Sequence, residues 1–289
     1  MNQGDNIVSS KNTRRLLSAG TFLMTALLAG CGGGGFGGSG PQYAVVDADK
    51  SGASSVNISS LSEVISRNPN DAGAYNTRGA AYARTGRYSD AVSDFNRAIQ
   101  LDPRNAAAYT NRALAYRQTG KNDAALADFS QAIQSNPNYA PAYIGRANAL
   151  RAQGNSQQAL GDLSAAIRLT PESAEAYHSR GLAYQKLGQH QQAVFDFDSA
   201  IDRNPFVAPP YLARGQSLVQ LGRYDKAIED FNAAINVNQN LADAWAWRGV
   251  AFERKGNMSE AKQSYSRALN IDSGNAVARK GGGGIGSLF

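Results

Sequence analysis

Only one cysteine, Cys31, occurs in the 289 residues, so the chain can form no internal disulfide and has no thiolate pair for a metal. Histidine is almost as scarce. His178 and His190 stand twelve residues apart, with no carboxylate pair or cysteine at ligand spacing, which argues against a metal centre. No G-x-S-x-G elbow and no Walker loop is present; Gly120-Lys121 is followed by Asn122 and lacks the upstream glycine. The string GGGGFG at 32–37 satisfies G-x-G-x-x-G by letter, yet no strand precedes it and no helix follows, so it is not read as a nucleotide loop. Charged residues make up 18% of the chain, and the net charge of +6 comes from signs that alternate along it, which argues against a nucleic-acid-binding stripe. The apolar run Leu16–Leu28 is about 13 residues, short of the roughly 20 that cross a bilayer. Carboxylates sit singly on predicted helices. The expectation is therefore no enzyme, no small-molecule substrate, no nucleic-acid partner and no cofactor.

What is present begins with that apolar run. Lys11, Arg14 and Arg15 precede it, and small residues follow, the pattern of a secretory signal. Leu28-Ala29-Gly30-Cys31 resembles the lipobox of bacterial lipoproteins; the alternative is an ordinary signal peptide with an unrelated cysteine. The resemblance implies cleavage after residue 30, a diacylglycerol on the Cys31 thiol and an N-acyl chain, palmitate among the acyl groups. Gly32, where Asp would favour inner-membrane retention, implies the periplasmic face of the outer membrane. Residues 31–55 read as a Gly-rich flexible tether, because they cannot bury enough apolar surface to offset chain entropy. Such a coil reaches about 27 Å.

Residues 72–275 repeat with a period of 34. Pro69, Pro103, Pro137, Pro171 and Pro205 recur in step, as do Gly86, Gly120, Gly154, Gly188, Gly222 and Gly256. Tyr75, Tyr109, Tyr143, Tyr177, Tyr211 and Trp245 keep the same step, and so do the alanines from Ala98 to Ala268. These positions resemble the tetratricopeptide repeat. Six units follow, at 72–105, 106–139, 140–173, 174–207, 208–241 and 242–275. Within the first, Tyr75, Gly79 and Tyr82 share one face of a first helix, while Ala91, Phe95, Ala98 and Ile99 line a second. Gly86 suits a left-handed residue past the first helix, and Pro103 ends the second. One hairpin cannot bury both its faces, so the units must stack. The expected fold is all-α: a right-handed α-solenoid of six helix hairpins with a lone N-terminal helix and a short C-terminal cap. The lone helix, 56–71, puts Leu61, Val64 and Pro69 in the register of a second helix. Residues 276–289 start a further first helix that stops at the glycines 281–284 and leaves a loose tail. Ser287-Leu288-Phe289 resembles the C-termini that PDZ domains bind; a disordered end, or one covering the last helix, is the alternative.

Arg78, Arg112, Arg146, Arg180 and Arg214 are each followed sixteen residues later by an aspartate: Asp94, Asp128, Asp162, Asp196 and Asp230. An anion-binding ladder is one reading. The paired spacing favours structural ion pairs within each hairpin. Ser264 takes the sixth aspartate's place, leaving Arg248 the arginine freest to face a ligand.

The resemblance also implies a function, since first helices in this family line a concave groove that receives a peptide or a partner's helix. Carried to this sequence, the groove would present Asn76, Thr110, Arg117, Asn148, Arg151, His178, Gln185 and Gln216, joined by Arg248. The alternative is a solvated face. The family's carboxylate clamp is not expected: Asn76 and Asn111 fit it, but Ala80, Pro141 and Gly145 stand where other members belong. The chain is thus expected to be a lipid-anchored periplasmic scaffold for envelope proteins or peptides, an adaptor for a protease or a peptidoglycan hydrolase. The alternative is an assembly factor or pilotin of a pilus, secretion or outer-membrane insertion machine.

Overall fold

Each 34-residue unit folds as two helices because its ends are chemically marked. Asp71 and Asn105 accept the free amides of Ala74 and Ala108 at 3.0 and 2.9 Å, satisfying donors that a helix start leaves unpaired. Gly86, at φ +77°, lets the chain reverse so that the Arg87 amide reaches the Tyr82 carbonyl at 2.9 Å. The second helix closes on an Asx turn around the proline: the Asp102 carboxylate accepts the Arg104 amide at 3.0 Å. Asn136 and Asn204 do the same around Pro137 and Pro205, and Asn238 and Asp272 make the same turn around Gln239 and Ser273.

A computed structural model describes residues 55–286, which fall within one contact unit, 41–289. Among the described residues there are fourteen helices and no strand. α1 (Ser55–Arg67) stands alone. Six hairpins follow: α2 (Ala72–Arg84) with α3 (Tyr88–Leu101), α4 (Ala106–Gln118) with α5 (Asn122–Ser135), α6 (Ala140–Ala152) with α7 (Ser156–Leu169), α8 (Ala174–Lys186) with α9 (His190–Arg203), α10 (Ala208–Gln220) with α11 (Tyr224–Val237), and α12 (Ala242–Arg254) with α13 (Met258–Ile271). α14 (Ala276–Gly286) packs on α12 and α13. The result is an α-solenoid. Consecutive first helices touch one another and consecutive second helices do not, so the stack bends with the first helices on its inner face.

The core is a column of one large side chain per hairpin. Phe95, Phe129, Leu163, Phe197, Phe231 and Tyr265 are all fully buried, each contributing about 1.5–3 kcal/mol for an aliphatic or phenyl side chain. The first helix makes room for them. A Cβ on Gly79, Gly181 or Gly215 would stand 2.6 Å from the ring of Phe95, Phe197 or Phe231. Where Ala113 replaces that glycine, Phe129 lies against Gly145 of the next hairpin, whose Cβ would fall 2.3 Å from it. Where Ala147 replaces it, the facing residue shrinks to Leu163.

Two expectations need correction. Val64 is 46% exposed and the buried residue of α1 is Ile65, because α1 has no first helix of its own to cover the Val64 face. The last helix does not stop at 281–284; α14 runs through the glycines to Gly286. Glycine costs about 1 kcal/mol relative to alanine in a helix interior, but packing overrides it here. A Cβ on Gly281 would lie 2.2 Å from the Tyr265 ring, so a larger residue has no space there. Cys31, residues 31–54 of the tether and residues 287–289 lie outside the described residues; Ser55 is already the first residue of α1.

Candidate binding groove

The periodic arginines are bound on both sides. In Arg112 the Nε and Nη2 donate to the two Asp128 oxygens at 2.7 Å each, while Nη1 donates backwards to Asn96 of the preceding hairpin at 2.6 Å. Arg78, Arg146, Arg180 and Arg214 make the same forward bidentate pair with Asp94, Asp162, Asp196 and Asp230 at 2.6–2.8 Å. Their backward partners are Ser62, Ser130, Ser164 and Asp198. Each guanidinium therefore ties its hairpin to the element before it, the lone α1 for Arg78 and the preceding hairpin for the others, with its charge held by a carboxylate and its pKa raised by that hydrogen bond or, at Arg214, by both flanking aspartates against burial. Arg248 corrects an expectation. Its Nε donates to Ser264 at 3.1 Å and its Nη1 to Asn232 at 2.9 Å, and it lies 4.3 Å over the Trp245 ring. It occupies the same bracing position as the others and is not the free arginine.

The inner face differs. Asn76 accepts from the Asn111 amide at 3.0 Å, and Gln185 donates to the Ala213 carbonyl and the Ser217 hydroxyl at 3.1 Å each. These two side chains brace neighbouring first helices. Gln216 is half-buried on α10. The remaining five groove positions gather on α4, α6 and α8, and most of them lack partners. Thr110, Asn148 and His178 are 4, 5 and 6% exposed, yet Thr110 Oγ1, Asn148 Oδ1 and His178 Nδ1 are buried without a hydrogen bond, as is Arg151 Nε. A buried polar group left unpaired costs about 1–3 kcal/mol, and Ser156 Oγ and His190 Nδ1, on the second helices α7 and α9, are unpaired in the same way.

Arg117 and Arg151, in the last turns of α4 and α6, have no carboxylate partner among the described residues, and burial lowers the pKa of both. The Arg117 charge adds to the lowering at Arg151. Burial, then the Arg151 charge, pushes His178 down to about 4, so its imidazole is neutral at neutral pH. Glu175, in the first turn of α8, is pushed up to about 7 by burial alone. It lines a cleft of about 420 Å³ whose other walls include Ala140, Pro141, Ile144 and Pro171. The repeat pattern does not mark Glu175 as a desolvated carboxylate, because that property comes from the apolar wall α6 sets against it. Among the described residues there is no cluster of His, Cys, Asp and Glu able to hold a metal. What the arrangement offers is donors, acceptors and apolar surface for binding.

Tetratricopeptide-repeat models match residues 58–106 and 76–140, 147–188 and 215–256, 174–206, and 242–275. No curated protein matches. Among solved structures, the APC/C hetero-tetramer Cut9–Hcn1 is similar at TM-score 0.70 and 18% identity, over 78% of this chain but 45% of that one, so the chain spans under half its length. PilW, a widely conserved type IV pilus biogenesis factor, is similar at TM-score 0.67 and 18% identity, over 72% of this chain and 97% of that one. YrrB, a tetratricopeptide protein with an unusual peptide-binding site, is similar at TM-score 0.54 and 24% identity, over 64% and 96%. At these identities the likeness is one of fold. With its recurring Gly, Tyr and Pro positions, its packed hairpins and these matches, the region 58–275 is a tetratricopeptide-repeat domain, and the chain belongs with the proteins that carry one.

Proposed function

We propose that this protein is a lipid-anchored periplasmic scaffold whose inner face holds a polypeptide of the cell envelope. The observation that carries the binding role is a set of charged groups without a protein partner on the first helices α4, α6 and α8: Arg117 and Arg151 without a carboxylate, and Glu175 in an open cleft with apolar walls, which a peptide can satisfy together. The fold supports protein binding in general. The anchor rests on the sequence: the basic start, the apolar run and Leu28-Ala29-Gly30-Cys31. Several acyl chains, at about 0.8 kcal/mol per buried CH₂, would make attachment effectively permanent.

The adaptor role, for a protease or a peptidoglycan hydrolase, is the first reading; assembly of a pilus, secretion or insertion machine is the second, supported by the fold shared with PilW. Fractionation with labelled palmitate tests the anchor. Wild-type protein should carry label and pellet with the outer membrane, and Cys31→Ser should lose both; unlabelled wild-type protein in the soluble periplasm contradicts it. Affinity capture from envelope extract tests the scaffold. A partner retained by wild type and lost with Arg117→Ala/Arg151→Ala supports it, and capture of no envelope polypeptide contradicts it.

A further inference from the structure

Ionisable groups without an ion-pair partner stand at both ends of the inner face, two arginines at one and a glutamate at the other. Arg117 and Arg151 lie in the last turns of α4 and α6, and Glu175 in the first turn of α8. Residue 185 on α8 takes the repeat position of Arg151, ten residues beyond Glu175, so the backbone at the two ends is about 15 Å apart along the helix axes, while the Arg151 charge reaches far enough along the face to act on His178. Helix dipoles favour this placement by a few tenths to 1 kcal/mol, but they supply no hydrogen-bond partner. The unpaired Asn148 Oδ1 and His178 Nδ1 lie between the two ends, one on each helix, flanked by the half-buried Leu114 and Leu182. The Glu175 cleft has apolar walls that suit a methylene stem, and a second carboxylate, Glu172, at its rim.

We propose that the inner face of α4, α6 and α8 selects an extended polypeptide segment carrying one acidic residue, seated between Arg117 and Arg151, and one Lys or Arg, seated in the Glu175 cleft. At about 3.3 Å per residue, 15 Å sets the two residues four or five apart. An α-helical ligand would need about ten residues for the same span. This deepens the scaffold reading and rests on it, since it assigns that groove its ligand chemistry.

The test uses the detergent-solubilised full chain and fluorescent twelve-residue Gly/Ser/Ala peptides. The probes hold one Glu and one Lys four apart, in either order; controls hold the same pair adjacent, or two Glu, or two Lys. One order of the four-apart peptide should bind at least tenfold tighter than every control. Arg117→Ala/Arg151→Ala should abolish the preference for Glu, and Glu175→Gln the preference for Lys. Arg117→Lys/Arg151→Lys should keep it, and Glu175→Lys should transfer preference to the two-Glu peptide. Melting curves of each variant check that it folds. Equal binding of all peptides, or a preference that survives the folded variants, overturns the proposal. Envelope capture separates this from the scaffold reading: a partner held equally by wild type and by Arg117→Ala/Arg151→Ala/Glu175→Gln overturns the charged site while leaving a scaffold in place. Capture of no partner defeats the scaffold itself.

Discussion

Asp196 takes both the Nε and the Nη2 of Arg180 at 2.8 Å while its side chain is only 1% exposed. Arg180 also reaches back to Ser164 at 3.5 Å, so one ion pair joins a hairpin internally and to its neighbour. Asp196→Ala would strand the guanidinium between packed helices. Losing one member of a buried pair costs about 3–5 kcal/mol. Ser264→Ala, which removes only a hydroxyl acceptor from Arg248, should cost about 1 kcal/mol. Urea unfolding measures both. Equal and negligible losses would show that solvent screens the pairs.

The glycines give a prediction of sign. Gly145→Ala places a Cβ 2.3 Å from the Phe129 ring and should destabilise by about 1–3 kcal/mol despite alanine's better helix propensity. Gly161→Ala, on α7 with open space around the site, should stabilise by about 0.5–1 kcal/mol. Thermal melts of the two variants should move in opposite directions.

The inner face predicts an unusual pH dependence. Glu175 rises from an ordinary 4.5 to about 7, so between those values the folded state holds a proton that the unfolded state has released, and stability falls as pH rises. His178 drops from 6.5 to about 4, so between those values the unfolded state holds the extra proton, and stability falls as pH drops. The two contributions oppose each other from about 4.5 to 6.5. Measured by urea titration against wild type, Glu175→Gln should gain up to about 3 kcal/mol as pH rises from 4.5 to 7. His178→Leu should gain a similar amount as pH falls from 6.5 to 4. Difference curves that stay flat would mean that both groups are solvated.

The repeat and its hairpins were readable because the small, aromatic and turn residues recur at fixed spacing. So was the forward half of the arginine clamp, since Arg and Asp keep their identity. Its backward half was hidden: Ser62, Asn96, Ser130, Ser164, Asp198 and Asn232 share only polarity. Asn76 and Gln185 fit the groove pattern equally well, but their amides reach the adjacent first helix, a contact that periodicity does not encode. α14 opposes local propensity; only the Tyr265 ring, from the preceding helix, explains why glycine is required there.

Photo-crosslinking tests the central claim most directly. A benzophenone side chain placed at Leu114 or Leu182, on the inner face, should crosslink an envelope polypeptide in living cells. The same group at Phe195, a 65% exposed position on the second helix α9, should not. Crosslinks from Phe195 with none from Leu114 and Leu182 would contradict the assignment of the inner face as the binding surface.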